Sequence, residues 1–523
     1  MVTTLRMVTV SKSANTERVV LARLLSCLLA TAGVSAHAEN WSGTAGVSVG
    51  ETYSDNIGRQ SKGFERDDWA TEVSPYIHYG GRSARANGTL DAKLRNVRHT
   101  DGMTSNASSL QLNAAGTLEA YEDLLFVDAL VNQDKQRISQ FAAADSSYGG
   151  TANSTQVTRY NFSPNMHWRL GDATDARLRY TYEEVHADKA NFAAGHSDTL
   201  QLNLVNGAAF GRLGWGFSAT KREDNPDTTI GTSSSSYSGS LSYAFDPALS
   251  GQLFGGQEFN DYDNGAQRHY WNWGAGLKWV PDDRTTVSAQ TTKRFFGRGF
   301  AYSVEHRMKR SSLAFNYGRE VNTLSSSSDF ASRVYSDEYY YFDLLFKSIY
   351  PNDAQRDAVV RQTLTASGYP LYRTGTQGVL SSQSYVDRRM SVLWTLLGVR
   401  NTLTLSIHSS DKETLTQQIL SGLVSGDLST YQRIKQRGWD AMWRHNLTPD
   451  TSMGVRYGWA SVTGYGVAPA PTYTTSHSST IGLNLDTKLA PYTTGGLFFT
   501  HTRSQGSVAF TENALGATLN HQF

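Results

Sequence analysis

The chain has 523 residues with 48 Lys+Arg against 47 Asp+Glu, and is 39% hydrophobic while holding 46 Gly, 27 Tyr, 21 Phe and 11 Trp. Near-zero charge offers nothing to draw nucleic acid or a strongly charged partner, and no apolar run after residue 38 approaches the roughly 18 residues of a helical membrane span. A mean hydropathy of −0.44 is compatible with a membrane barrel, where only alternate residues of each strand face lipid.

Residues 1–38 read as a secretory leader: Arg18 and Arg23 precede an apolar core from Leu24 to Val34, and Ala36-His37-Ala38 supplies a small-x-small cleavage site. The expected organisation is a signal peptide over 1–38 and one outer-membrane barrel over 39–523. The leader holds four Lys/Arg and one Glu, which leaves 44 basic against 46 acidic residues, formally −2. Leu24-Leu25-Ser26-Cys27 loosely resembles a lipobox, but it sits too early in the apolar core. With cleavage after Ala38 no cysteine remains, which excludes a disulfide framework and thiolate chemistry.

From Trp41 onward, alternating segments of roughly 10 to 15 residues recur, the length a tilted strand needs to cross a bilayer. Ala176, Leu178, Tyr180 and Tyr182 alternate with Arg177, Arg179, Thr181 and Glu183; Leu200, Leu202 and Leu204 with Gln201 and Asn203. Leu241, Tyr243 and Phe245, then Leu403, Leu405 and Ile407, then Met453, Val455, Tyr457 and Trp459, then Ile481, Leu483 and Leu485 repeat the pattern. Such period-2 alternation predicts strands with different solvents on their two faces.

Two classes of connection separate the strands. The short ones often carry Pro or Asp, as in Phe245-Asp246-Pro247-Ala248, Val280-Pro281-Asp282-Asp283 and Leu447-Thr448-Pro449-Asp450-Thr451, and they read as tight reversals. Flanking aromatics such as Phe245, Trp279 and Trp443 suit a girdle at one interface. The long ones, rich in Ser, Gly, Asn and Asp, cover 54–66, 134–152, 187–197, 224–234, 259–268, 320–384 and 410–430. Ten short turns, near 81, 121, 172, 211, 247, 282, 309, 399, 448 and 490, imply eleven hairpins.

The predicted class is all-β: a transmembrane antiparallel up-and-down β-barrel of about 18 to 22 strands, with short periplasmic turns and long outer loops in strict alternation. Closure is required because lipid offers no partner to an open backbone edge. Two outer loops are expected to carry helices. Pro351-Asn352-Asp353 offers caps before Val359, Val360 and Leu364, and Ser410 to Glu413 reads as a capping box before Leu415, Ile419, Leu420, Leu423 and Val424. Such helices either enter the mouth as a constriction or pack on the rim.

The last strand, Thr511 to Phe523, sets His521, Leu519, Ala517 and Leu515 against Gln522, Asn520, Thr518 and Gly516. It resembles the closing strand of bacterial outer-membrane barrels, in which the terminal aromatic is what the assembly machinery reads. Phe523, His521 and Leu519 are therefore the expected assembly signal, although His521 stands where the pattern usually has an aromatic. Near the other end, Glu51-Thr52-Tyr53-Ser54-Asp55-Asn56-Ile57 and Asp68-Trp69-Ala70-Thr71-Glu72-Val73-Ser74-Pro75-Tyr76-Ile77 resemble a family of outer-membrane β-barrel proteins associated with the PEP-CTERM/exosortase system. The resemblance implies a porin-like barrel in the outer membrane of a Gram-negative bacterium, among whose partners would be outer-membrane lipid and exopolysaccharide or its export components. It supplies no catalytic residues and no cofactor.

Gly46-Val47-Ser48-Val49-Gly50 matches the nucleophile-elbow pattern in letters only, because that elbow needs a strand, a sharp turn and a helix, whereas Ser48 lies within an alternating strand. His78, His99, His167, His269, His408 and His501 are dispersed, without the spacing of a metal site. Cofactor, metal and catalytic residues are all expected to be absent, so the chain is not read as an enzyme. The candidate functional surface is the polar face, where Lys93, Arg95, Arg177, Arg179, Lys278 and Arg456 would line the lumen and set selectivity, or pair across strands as structural ions. Tyr180, Tyr182, Trp271, Trp273, Trp439 and Trp443 would either be sugar-stacking platforms or sit at lipid-facing or girdle positions, and the second assignment is preferred. The functional expectation is a channel or export conduit, whose cargo the resemblance implies to be exopolysaccharide or another envelope component. The alternatives are a structural or surface-display barrel acting through its outer loops and, after it, a barrel hydrolase.

Overall fold

The computed structural model describes residues 41–523 apart from 102–103, 105, 147, 150–151, 190–193, 207–210, 229, 263–266, 382, 416–425, 467–472 and most of 323–379. Within that last stretch it describes Tyr339, Phe342, Asp343, Phe346, Arg356, Asp357, Val359, Val360, Arg361 and Leu364, all helical. The leader expected over 1–38 lies outside the described residues.

Twenty-two strands follow in order: β1 (Trp41–Ser54), β2 (Asp68–Arg82), β3 (Ala86–His99), β4 (Ala107–Tyr121), β5 (Leu125–Arg137), β6 (Ser154–Leu170), β7 (Thr174–Ala187), β8 (Gly195–Asn206), β9 (Leu213–Pro226), β10 (Thr232–Ala244) and β11 (Leu249–Asn260). The second half comprises β12 (Arg268–Asp282), β13 (Thr285–Arg294), β14 (Gly297–Arg307), β15 (Ser311–Asn322), β16 (Tyr385–Leu397), β17 (Asn401–Thr414), β18 (Arg433–Asn446), β19 (Thr451–Tyr465), β20 (Tyr473–Ala490), β21 (Thr493–Gly506) and β22 (Phe510–Gln522). Each pairs antiparallel with its sequence neighbours, and β1 pairs with β22 from Gly46↔Gln522 to Ser54↔Ala514, closing the sheet. Closure leaves no backbone edge to lipid, as a membrane barrel requires. At the usual strand spacing and tilt, 22 strands enclose a wall about 40 Å across.

All ten predicted short turns are present, and their chemistry is local. Asp246 Oδ1 accepts from the amides of Ala248 and Leu249 at 2.7 and 2.8 Å, with Pro247 presetting φ between them. Asp282 Oδ1 likewise accepts from the Arg284 amide at 2.8 Å. At the opposite end most connections are long, but alternation is not strict. The β13–β14 link is only Phe295 and Phe296, and β21–β22 needs only residues 507–509. Gly297 (φ +97°) and Gly506 (φ +111°) adopt the left-handed region that permits these two tight reversals.

The capping box expected at Ser410 to Glu413 does not form. These residues complete β17, where Ser410 Oγ donates to Asp387 Oδ1 at 2.8 Å and buried Lys412 donates to Gln436 Oε1 at 3.0 Å. Ladder pairing on both sides outweighs a local cap. Residues 416–425, where that helix was expected, lie outside the described residues; the described helix of this loop is the single turn Asp427–Thr430. Residues 100–106 and 466–472 are two further connections the sequence reading did not assign to loops.

The two faces of the wall differ as the alternation predicts. Outside, Val49, Ile77, Leu200, Leu241, Leu253, Leu483 and Leu515 are exposed, as are Trp271 (67%), Trp273 (60%), Tyr180 and Trp439. Rings mark both edges of this band: Trp41 stacks on Tyr79 at 5.6 Å near the short turns, and Tyr53 meets Trp69 at 5.3 Å near the long loops. Phe245, Trp279 and Trp443 are exposed on the short-turn edge, where a girdle was expected. No helix among the described residues is long and apolar enough to cross a membrane, which says nothing of strands.

Candidate functional site

Residues alternate with the lipid face to line the interior, and the register places five of the six predicted lumen residues beside partners. Lys93 Nζ lies 3.7 Å from Glu72, and Arg95 Nε donates to the same carboxylate at 3.1 Å. Arg179 bonds Asp128, and Arg177 contacts His167. Arg456 donates to Asp440 Oδ1 at 2.9 Å. Lys278 shares its face with Asn272 and lies exposed near the short-turn end. Away from these ions the wall is rich in hydroxyls: Ser218 and Thr220 on β9 pair with Ser238 and Ser236 on β10, beside Ser234, Ser240 and Ser242.

Described residues of the segment between β15 and β16 lie within the lumen. Its helical residues Tyr339, Phe342, Phe346, Val360 and Leu364 cluster with inward-facing Met442 of β18, while Val359 and Leu397 pack against them. Leu397 ends β16 at the short-turn side and Met442 lies four residues from the same end of β18. β15 ends on the opposite, long-loop side, so these described residues sit roughly 20–30 Å below that end at ordinary strand rise and tilt. Arg361 then reaches Asp91 of β3 at 3.3 Å. β16 and β3 are nine pairings apart in the closed order, so the segment's described residues touch nearly opposite walls. Its own polar contacts stiffen it: the ion pairs of Arg356 with Asp343 at 2.6 Å and Arg361 with Asp357 at 2.7 Å, and the Tyr339 hydroxyl, which donates to Asp357 Oδ1 at 2.5 Å. A helix was expected after Pro351-Asn352-Asp353 and through Leu364, and its described residues enter the lumen rather than pack on the rim.

A second layer closes the outer mouth. Residues 139–144 bridge the barrel: Arg59 Nη1 donates to the Ala144 carbonyl at 2.8 Å on the β1 side, while Asp427 accepts from Ser139 Oγ and the Gln140 amide at 2.7 and 2.6 Å on the β17–β18 side. Burial raises the pKa of Asp427, against the lowering pull of those two donors and of Arg137. The Tyr148 hydroxyl is likewise pushed up, chiefly by burial. Phe141 lies 4.5 Å from Tyr431, and a Cβ on Gly464 would stand 2.6 Å from Tyr431, so only glycine lets this ring pair lie against the wall. The loops rest on inward positions that turn apolar near the strand tops: Ala70, Val97 and Ala514 under Ile57 and Tyr148; Val157, Val185 and Ala187 under Leu380; Ile434 under Phe141 and Leu428. Sequence reasoning missed these seats, although the loss of polar alternation at the strand tops was their signal.

Ser48 lies mid-strand, paired with Ser74 and Asn520, where no turn raises its hydroxyl. The histidines stay apart: His78 meets Asp91, His167 meets Arg177, and His501 bonds Asn513. Among the described residues no group of three His, Cys, Asp or Glu is placed to hold a metal ion. At the terminus, Phe523 is 76% exposed on the lipid side, its ring 5.2 Å from His521, and its amide donates to the Ala45 carbonyl at 2.8 Å; Leu519 shares that face.

No protein-family model matches the chain, and no curated protein matches it. Among solved structures, the chain is similar to the FrpB iron transporter of Neisseria meningitidis, with 10% identity and a TM-score of 0.49, covering 92% of this chain and 82% of that one. It is also similar to the siderophore receptor PirA of Acinetobacter baumannii (8% identity, 92% and 81% covered, TM-score 0.46). The ferric enterobactin receptor of Pseudomonas aeruginosa gives 9% identity, 92% and 80% covered, and a TM-score of 0.44. The molecule's own wall supplies the physical placement: a closed even-numbered sheet, apolar and ring-edged outside, polar inside. The chain is an outer-membrane β-barrel.

Proposed function

We propose that this barrel is a conduit across the outer membrane, closed at rest by the segment between β15 and β16 and opened when that segment moves. The observation that carries the reading is the span of that segment from Met442 and Leu397 to Asp91, across the lumen rather than over its rim. The lining of hydroxyls and amides, with its cations largely neutralised by Glu72, Asp128 and Asp440, suits a neutral or weakly charged polar cargo. A sugar polymer fits that chemistry, and exopolysaccharide is the cargo that the resemblance to the PEP-CTERM/exosortase-associated barrels implies. Phe523, His521 and Leu519 serve in this reading as the strand offered to the assembly machinery.

The test is conductance of residues 39–523 in planar bilayers, with and without residues 323–379. Small or absent conductance that rises severalfold on deletion is expected, with heat-modifiable migration showing that both forms remain barrels. Silence from both folded forms would leave a structural or display barrel, and equal conductance from both would remove the gate.

A further inference from the structure

The outer surface of β13–β18 carries charge where a lipid-facing wall is ordinarily apolar. Lys293, Arg298, Arg319, Arg388, Lys435 and Arg437 alternate with lumen-facing residues, so they share the face of Val287, Phe300, Phe315, Met390 and Trp439. Each lies one to four residues from the long-loop end of its strand. At a rise of roughly 3.3 Å per residue this is the level of the outer-leaflet headgroups. Arg433 joins them at the top of β18 and is bound to Asp411 at 2.6 Å. Seven basic residues thus face outward against two acidic ones, Asp411 and Glu413.

Two cross-strand pairs are like-charged and directly opposite: Lys293 with Arg298, and Arg319 with Arg388. Directly opposed like charges destabilise a sheet; Arg388 and Lys435 also stand opposite Asp411, the carboxylate that the register sets between them. The side chains are nevertheless held in place from the wall. Arg319 Nη1 donates to the Arg298 carbonyl at 2.9 Å and its guanidinium lies 5.2 Å over the Phe296 ring; Arg298 Nε donates to Thr291 Oγ1 at 3.2 Å; Lys435 lies 5.2 Å over Tyr465. Directly below, Phe315, Val392, Ile407 and Trp439 form one continuous apolar row across β15–β18. The belt is local: across β7–β9 the same level carries Glu184, Asp198 and Glu223 against Lys221.

From this arrangement we propose that β13–β18 bind a phosphate-bearing lipid of the outer leaflet, its phosphates bridging the opposed cations and its acyl chains lying on the apolar row. Charge-assisted Arg–phosphate bonds supply the recognition, and the apolar row requires the ligand to be a lipid rather than a free anion.

The test is native mass spectrometry of the full barrel with bis-phosphorylated lipid A, dephosphorylated lipid A and inorganic pyrophosphate as probes. The wild type is expected to retain the phosphorylated lipid, to hold the dephosphorylated form at least tenfold less, and to lose neither to millimolar pyrophosphate. R319Q/R388Q/K435Q is expected to bind at least tenfold more weakly, while K221Q on β9 binds as the wild type does; heat-modifiable migration checks each fold. Should the triple variant not fold, R388Q/K435Q is read in the same assay, with a severalfold loss expected. Undiminished binding by the folded charge-depleted variant, equal binding of the dephosphorylated lipid, or displacement by pyrophosphate would overturn the proposal.

Discussion

Arg361 lies 3.3 Å from the carboxylate of Asp91, a residue 270 positions earlier on a wall nearly opposite the segment's apolar seat, and the same carboxylate meets His78 at 2.6 Å. The wall thus supplies an anion at one side of the lumen and an apolar seat, Met442 and Leu397, at the other. A segment held only by apolar packing could slide along its seat; an ion pair at the far end fixes where it stops.

Breaking that tether should loosen the occupant without unfolding the wall. A hydrogen bond to a charged group contributes about 1.5–3 kcal/mol net, which shifts a docked–undocked equilibrium by roughly one to two powers of ten. R361Q is therefore expected to show frequent open events in single-channel records, with unchanged heat-modifiable migration. Records indistinguishable from those of the wild type would mean that the segment is held elsewhere.

The apolar seat should matter more. Phe342 is fully buried and stacks near Phe346 at 6.0 Å. Truncating a buried Phe to Ala ordinarily costs about 3–5 kcal/mol through lost transfer energy and the cavity left behind. F342A is expected to approach the conductance of the form lacking residues 323–379. A variant that stays closed would show that the ion pairs alone keep the segment in place.

The wall was legible in the sequence because its two solvents write themselves at period 2. Leu241, Tyr243 and their polar neighbours point as predicted, and Asp246-Pro247 turns where a Pro and a bonding carboxylate require it. Strand number followed from the ten short turns. The plug and lid were less legible, because their contacts are made across hundreds of residues. Nothing in the neighbourhood of Asp91 names Arg361, and nothing near Asp427 names Gln140. Ser410 to Glu413 misled because a capping box and a strand end can share residues, and only the buried Lys412–Gln436 contact decides between them. The basic belt was invisible to a reading that looked for charge on the polar face alone.

Selectivity should follow the cations that lack a close counter-charge rather than the number of cations. Arg95 shares Glu72 with Lys93, whereas Lys278 is exposed near the short-turn end of the lumen. In the form lacking residues 323–379, K278E is expected to shift the reversal potential in a salt gradient toward cation preference. R95Q should shift it the same way but less, because Lys93 still stands beside Glu72. A larger response to R95Q than to K278E would place the selective constriction at β2–β3.

The mouth should tighten on acidification. Burial raises the pKa of Asp427, and the Ser139 and Gln140 donors only partly oppose it, so the docked loop holds the carboxyl proton more tightly than the undocked loop does. A group with a raised docked-state pKa contributes least when both states are ionised, and its contribution grows as pH falls through that raised value. Hydrogen-exchange protection of residues 138–146, corrected for intrinsic rates, is therefore expected to rise between pH 7 and pH 4.5. D427N should flatten that dependence while its amide oxygen still accepts from the Gln140 amide and its NH2 donates to the Ser139 hydroxyl. A pH dependence that survives in D427N would assign the effect to another group of the mouth; a flat wild-type profile would mean that the loop carries its proton equally well undocked.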